Sequence, residues 1–332
     1  MKILITGSGG FLGSRIVKSL LALGERDLRC QIREGRGIER LRAISREAGV
    51  EQVEIVACNL LSPADTDALL QGVDLVIHAA AGTKGAAADM VLNTVVATRN
   101  LLDSAVKART RRIAVVSSFA VYRTEGMTSG ALLNEQSPVE PVGLEKGAYA
   151  YSKVRQEQLV RQYQSEHGFE QIFIRPGVIY GPGGTSMSSR VGIRALGWFF
   201  SLGGACLLPL THVDNCADAV AIAALRGESG AVFNAVDDDL PTCGAYLKRY
   251  KSEVESVRSV PVPYPALLAG SRLLVWYSKT SKGQLPAIFT PYIVRSMYRH
   301  LKYSNAALQT IGWRQKVPTG LGVDGLFSHL KK

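Results

Sequence analysis

The residues that most constrain this chain stand near its beginning. An apolar run, Lys2 to Ile5, leads straight into Thr6-Gly7-Ser8-Gly9-Gly10-Phe11-Leu12-Gly13, and Ile16, Leu20 and Leu23 follow at helical spacing. A strand that turns tightly into a helix, with glycines three apart, can bring its backbone against a pyrophosphate. The free N–H groups of the helix's first turn then point at the phosphates. Gly7 permits the turn, Gly10 keeps bulk off the phosphates and Gly13 lets helix and strand lie close. Such a turn is weak evidence alone, and its placement between a strand and a helix gives it weight.

Far downstream, Tyr149-Ala150-Tyr151-Ser152-Lys153 sets a tyrosine and a lysine four residues apart. That is about one helical turn, so both side chains share a face. A free tyrosine has a pKa of ~10. A nearby ammonium favours the phenolate, and an oxidised nicotinamide adds further positive charge, so the phenol can transfer a proton. Upstream, Val115-Val116-Ser117-Ser118-Phe119-Ala120-Val121-Tyr122 reads as an apolar strand that ends in hydroxyls. Together these features point to redox chemistry on a bound dinucleotide.

Strand-like runs are expected at 2–6, 28–32, 52–57, 73–78, 113–117, 171–175 and 231–235. Helical patterns lie between them at 11–23, 38–48, 63–71, 86–108 and 149–167. The alternation predicts an α/β fold, a doubly wound parallel (Rossmann) sheet with right-handed crossovers and helices on both faces. Ligands of such sheets bind at the carboxyl ends of the strands, where Gly7, His78, Ser118 and Pro176 fall. Residues 177–213 and 237–332 carry most of the prolines and aromatics, including all three tryptophans. The expected division is a dinucleotide-binding domain over 1–176 plus about 211–236, and a smaller, mainly C-terminal substrate-binding lobe over 177–210 and 237–332.

These motifs resemble the extended short-chain dehydrogenase/reductase family, with its epimerase/dehydratase and hydroxysteroid dehydrogenase groups. The likeness runs from residue 1 to about 240 and more loosely beyond. The family's TGxxGxxG is met by Thr6 to Gly13 and its YxxxK by Tyr149 and Lys153. Its catalytic Ser/Thr, four residues before a Val-Tyr tyrosine, selects Ser118. Its HxAA is His78-Ala79-Ala80-Ala81, and its Asn-led helix begins Asn93-Thr94-Val95-Val96-Ala97, with alanine where glycine is usual. Arg175-Pro176-Gly177-Val178-Ile179-Tyr180-Gly181-Pro182 and Thr211-His212-Val213-Asp214-Asn215 resemble two later motifs. The resemblance implies Ser118, Tyr149 and Lys153 as catalytic residues. It implies dinucleotide contacts from Gly7, Gly10, Phe11, Leu12 and Gly13, then from Arg33, Asn59 and Leu60. Further contacts would come from His78, Ala79, Ala80 and Asn93, and from Ser117, Tyr149, Lys153, Pro176 and Val178.

Cofactor choice follows from the second strand. An NAD-preferring site ends that strand in a carboxylate that takes the ribose 2′-hydroxyl. Here the strand reads Leu28-Arg29-Cys30-Gln31-Ile32-Arg33-Glu34, with Arg36 and Arg40 beyond. The pattern is similar to NADPH-using members of the flavonoid reductase type, which implies NADP(H) over NAD(H) and Arg33 on the 2′-phosphate. Glu34 leaves NAD(H) as the alternative.

The 332 residues are 46% hydrophobic and 20% charged, as suits a globular protein with a substantial core. No basic, apolar leader precedes the first strand, and the five cysteines are odd in number and never CxxC. Reduced thiols in a cytoplasmic protein are expected. The scattered histidines predict no metal site. Val191 to Leu210 is twenty residues with Arg194 as its one charge, long enough to span a bilayer. Gly203, Gly204 and Pro209 interrupt it, so an apolar pocket wall is expected. Ser259 to Tyr277 is also apolar, but prolines 261, 263 and 265 argue against a spanning helix.

Net charge is +11, which fits a solvated basic surface, an anionic ligand or an acidic membrane surface. The basic residues are dispersed, so no nucleic-acid partner is expected. The expected partner is a small molecule, either an anionic or nucleotide-linked sugar or an apolar hydroxy/keto compound, and a homodimer is the assembly considered. Phe119-Ala120 follow Ser118 where sugar dehydratases of the family carry Asp-Glu, so elimination chemistry is disfavoured. Leu207-Leu208-Pro209-Leu210 stand where nucleotide-sugar enzymes carry an arginine, with Arg190 or Arg194 as possible substitutes. Three readings remain open: an alcohol/ketone oxidoreductase, a nucleotide-sugar epimerase with transient oxidation, and a non-enzymatic dinucleotide sensor.

Overall fold

The structure is a computed structural model that describes residues 1–331 except 34, 36, 52, 196 and 282–288. The expectations placed on Glu34, Arg36 and Gln52 therefore lie outside the described residues. The first half alternates strand and helix: β1 (Ile3–Thr6), α1 (Phe11–Ala22), β2 (Leu28–Ile32), α2 (Ile38–Glu47), β3 (Glu54–Ala57), α3 (Pro63–Leu69) and β4 (Leu75–His78). Next come α4 (Ala87–Val91), a π-helical turn (Leu92–Val96), α5 (Ala97–Lys107), β5 (Arg112–Val116), β6 (Leu132–Leu133), α6 (Ala148–His167) and β7 (Glu170–Pro176). The pattern read as one helix over 86–108 is thus broken by a π-helical turn, a feature that often marks functional sites.

Seven strands form one all-parallel sheet in the order β12-β7-β5-β4-β1-β2-β3, where β12 is Val232–Ala235. The chain winds outward from β1 in one direction, then crosses to β4 and winds in the other. Between β1 and β4 the connections leave on opposite faces, which opens a crevice at the strand ends. Successive residues of β1 alternate between faces. Ile3 and Ile5 enter a core with Ile16, Leu20 and Val220, while Leu4 enters the opposite core with Leu101, Val115 and Phe173.

The remaining elements are β8 (Val178–Tyr180), β9 (Gly192–Ala195), β10 (Trp198–Ser201), β11 (Leu210–His212) and α7 (Val213–Arg226). After β12 follow α8 (Cys243–Glu253), β13 (Ser259–Pro261), α9 (Tyr264–Thr280), α10 (Pro291–Met297), β14 (Lys302–Tyr303), α11 (Ala306–Thr310) and α12 (Thr319–Leu330). The apolar stretch 191–210 is an antiparallel β9–β10 pair with a loop. In the second apolar stretch, Pro265 sits in the first turn of α9, where its missing N–H costs nothing. Among the described residues no helix is long and apolar enough to cross a membrane. Tyr180, Tyr246, Tyr250 and Phe327 build a separate cluster. One segment departs from the expected division: Leu308 and Trp313 are fully buried in the core of the large sheet, and the Trp313 indole N–H donates to the Asn215 carbonyl at 3.1 Å.

Candidate active site

The turn after β1 is held by its neighbours. Gly7 has φ +66°, where side chains are strained, and a Cβ there would come within 3.0 Å of the Ala80 backbone. A Cβ on Gly13 would overlap the Gly7 carbonyl, so helix and turn meet here backbone to backbone. Helix α1 starts at Gly10 without a side-chain cap, which leaves its first N–H groups free to meet an anion. Gln31 was not singled out by sequence reasoning, yet it organises this corner. It is buried, accepts from the Gly7 N–H at 2.8 Å and donates to the Ile32 and Cys58 carbonyls. A lone glutamine in a strand carries no spacing signal, which is why it was invisible.

A cleft of about 440 Å³ opens along the strand ends. Gly7, Gly10, Phe11, Leu12 and Gly13 line its middle, and Arg33, Asn59 and Leu60 line one end. Ala79, Ala80 and Asn93 form a wall, and Ser117, Ser118, Tyr149, Lys153 and Pro176 close the other end. Two of the expected contacts are not brought to the cleft. His78 is buried behind it, with Nδ1 on the Thr6 hydroxyl at 2.8 Å and Nε2 on the Thr98 hydroxyl at 2.9 Å. Burial, with Lys153 adding repulsion, pushes its pKa down to about 3, so it is a neutral strut. Val178 packs with the Tyr180 cluster, and strand alternation turns the next residue, Ile179, to the cleft instead.

The catalytic candidates come from β5 and α6. Ser118 follows β5 in extended conformation, and its hydroxyl accepts from the Ala120 N–H at 3.1 Å. Tyr149 lies in the first turn of α6 and Lys153 one turn on. Burial raises the Tyr149 phenol above its ordinary value, and the Ser118 hydroxyl opposes that shift. The expectation that Lys153 lowers this pKa needs amending. Its ammonium donates to the Val116 carbonyl at 2.8 Å and to the Gln156 amide oxygen at 2.9 Å. Burial brings it down to about 8, with Glu157 opposing. The third N–H has no partner among the described residues. Ser117 turns its hydroxyl away to Glu157, at 2.6 Å.

Beneath these residues lies a buried polar network that sequence reasoning missed. Glu157 receives Arg175 through two hydrogen bonds, of 2.8 and 2.6 Å, and both side chains are buried. The Arg175 guanidinium also stacks over the Tyr122 ring at 4.7 Å, and the Tyr122 hydroxyl donates to Asn234 at 2.6 Å. Next to Tyr122, the Phe119 ring stacks on the Tyr303 ring at 5.7 Å. Lys146 donates to the Ala120 and Tyr122 carbonyls and so braces the loop after Ser118. Among the described residues no cluster could hold a metal ion.

The chain matches the NAD dependent epimerase/dehydratase family over residues 3–235. It is 25% identical over 342 residues to a 4-hydroxy-2-methyl-3-oxo-4-farnesyl-3,4-dihydroquinoline-1-oxide ketoreductase of Stigmatella aurantiaca, across 98% of this chain and 96% of that protein. It is 22% identical to a decarboxylating sterol-4-alpha-carboxylate 3-dehydrogenase of Dictyostelium discoideum, across 98% and 99%. Its fold is also that of a UDP-glucose 4-epimerase of Thermus thermophilus solved with NAD, with a TM-score of 0.71, 19% identity and coverage of 100% and 99%. These relatives are enzymes, and the solved epimerase shares its fold with this chain. The chain belongs to the NAD-dependent epimerase/dehydratase family.

Proposed function

We propose that this protein is an NADP(H)-dependent oxidoreductase that interconverts a secondary alcohol and a ketone. The observation that carries this reading is the meeting of Ser118, Tyr149 and Lys153 at one end of the cleft whose middle is the glycine turn. When bound, the dinucleotide supplies or accepts hydride at its nicotinamide. In reduction, Tyr149 donates its phenolic proton to the substrate oxygen while that oxygen accepts a second hydrogen bond from Ser118. A phenol is protonated near neutral pH and burial shifts it further that way, so the resting residue is a proton donor. The third donor of Lys153, which has no partner among the described residues, would hold ribose hydroxyls of the dinucleotide. The ketoreductase and sterol dehydrogenase relatives, which span nearly the whole chain, support this class of reaction. Residues 177–210 and most of 237–332 would then face the substrate.

Arg33 supports the choice of NADP(H). Its side chain is exposed at the cleft end, with one N–H on the Asn93 side-chain oxygen at 3.3 Å. The β2 residues before it, Gln31 and Ile32, offer no carboxylate to a ribose 2′-hydroxyl. Native mass spectrometry of the purified protein with added cofactors tests both parts. It is expected to show retained NADP(H) and no nucleotide sugar. Arg33→Ala is expected to weaken NADPH roughly tenfold or more, as a charged hydrogen-bonded contact is worth ~1.5–3 kcal/mol, with NADH little changed. Equal losses for both cofactors would remove Arg33 as the discriminator, and a retained nucleotide sugar would move the protein to the epimerases.

A further inference from the structure

Helix α9 carries an apolar face with nothing over it among the described residues. Leu273 is 63% and Trp276 61% exposed, and Leu274 and Tyr277 are about half exposed. At 100° per residue, Leu273, Trp276 and Tyr277 form one stripe with the small Ala266 and Ala269. The opposite side, through Leu267, Leu268 and buried Ser271, packs on Leu202, Val294 and Tyr298. Arg272 and Lys279, two turns apart, run along one border of the stripe, and residues 264–280 contain no Asp or Glu. Beside the helix, exposed Trp198 and Val260 lie on the face of the three-stranded sheet that Phe200 presents to the same cluster.

We propose that α9 docks this protein onto a bilayer bearing anionic phospholipids, lying in the plane of the membrane surface. Its seventeen residues are too few to span, since a crossing needs ~20. Leu273 enters the acyl boundary. Trp276 and Tyr277 sit where one end of an aromatic side chain is apolar and the other wet, and Arg272 and Lys279 reach the phosphates. Charge selects this occupant over a second copy of the chain. A net charge of +11 and an apolar face bordered by cations without acidic residues repel their like and attract an acidic surface. The position is consistent with use: α10 packs both on α9 and on Leu144–Lys146, the turn leading into Tyr149. The docking face is therefore one helix removed from the cleft.

Cosedimentation of the full-length protein with vesicles tests this. Binding is expected to vesicles containing phosphatidylglycerol, to weaken with added salt, and to be much poorer on phosphatidylcholine alone. The double variant Leu273→Glu/Trp276→Glu should lower the bound fraction about tenfold or more, because it puts charge where apolar surface must enter the lipid. Arg272→Glu/Lys279→Glu should do the same through the headgroups. All four side chains are exposed, so thermal unfolding by circular dichroism should be unchanged and shows that the fold is intact. Wild-type protein that stays in the supernatant, or variants that bind as the wild type does, would overturn the proposal. So would a solution dimer that Leu273→Glu/Trp276→Glu splits, since the stripe would then cover a second copy.

Discussion

Tyr149→Phe is expected to lower kcat by ~10²-fold or more while leaving dinucleotide affinity near that of the wild type, because general acid–base catalysis is worth that much and the ring is kept. The substitution removes one oxygen and its proton. It leaves the glycine turn, Arg33 and the ammonium of Lys153 in place. Steady-state kinetics and fluorescence titration of the cofactor separate the two effects. Tyr151→Phe is the internal control: it lies about 200° around the helix from Tyr149, away from the face shared with Lys153. A variant at Tyr151 that abolishes turnover, with Tyr149→Phe still active, would mean that the proton is carried by another group.

The second large effect is on stability. Arg175→Met should destabilise the fold by ~3–5 kcal/mol, since it strands the buried Glu157 carboxylate without its charge partner. Arg161, at 3.8 Å from Oε2 of the same carboxylate, is half exposed and replaces little of that interaction. Urea denaturation reads this directly. The double variant Glu157→Leu/Arg175→Met, which removes both charges, should recover most of the loss. If Arg175→Met alone unfolds at the wild-type urea concentration, the pair is not a structural tie between α6 and β7.

Much of the sheet was legible because its signals are local. Each of the seven strands is a short apolar run, and the glycine turn and the one-turn spacing of Tyr149 and Lys153 are fixed by backbone geometry. The strand ends at Thr6, His78 and Val116 were placed within a residue or two of where they fall. What sequence could not show depends on contacts between distant segments. His78 falls at a strand end, yet two hydroxyls contributed by Thr6 and Thr98 turn its ring inward. Gln31, Gln156 and Glu157 are polar residues whose burial is created only when β2, β5 and α6 assemble, so no periodicity marks them. One of the two neighbours that engage Lys153 is a main-chain carbonyl, which carries no sequence signature at all. Trp313 likewise looked like part of a separate lobe until α7 supplied its partner at Asn215.

The central claim is net hydride transfer to a carbonyl carbon at the Ser118–Tyr149–Lys153 end of the cleft. The most direct measurement is the nicotinamide absorbance of NADPH incubated with the protein and a panel of ketones, apolar and anionic, beside the Tyr149→Phe variant. Loss of NADPH equal to the alcohol formed is expected for at least one ketone, with near absence of that loss in the variant. An unchanging absorbance across the panel, with a sugar inverted at one carbon in its place, would contradict it.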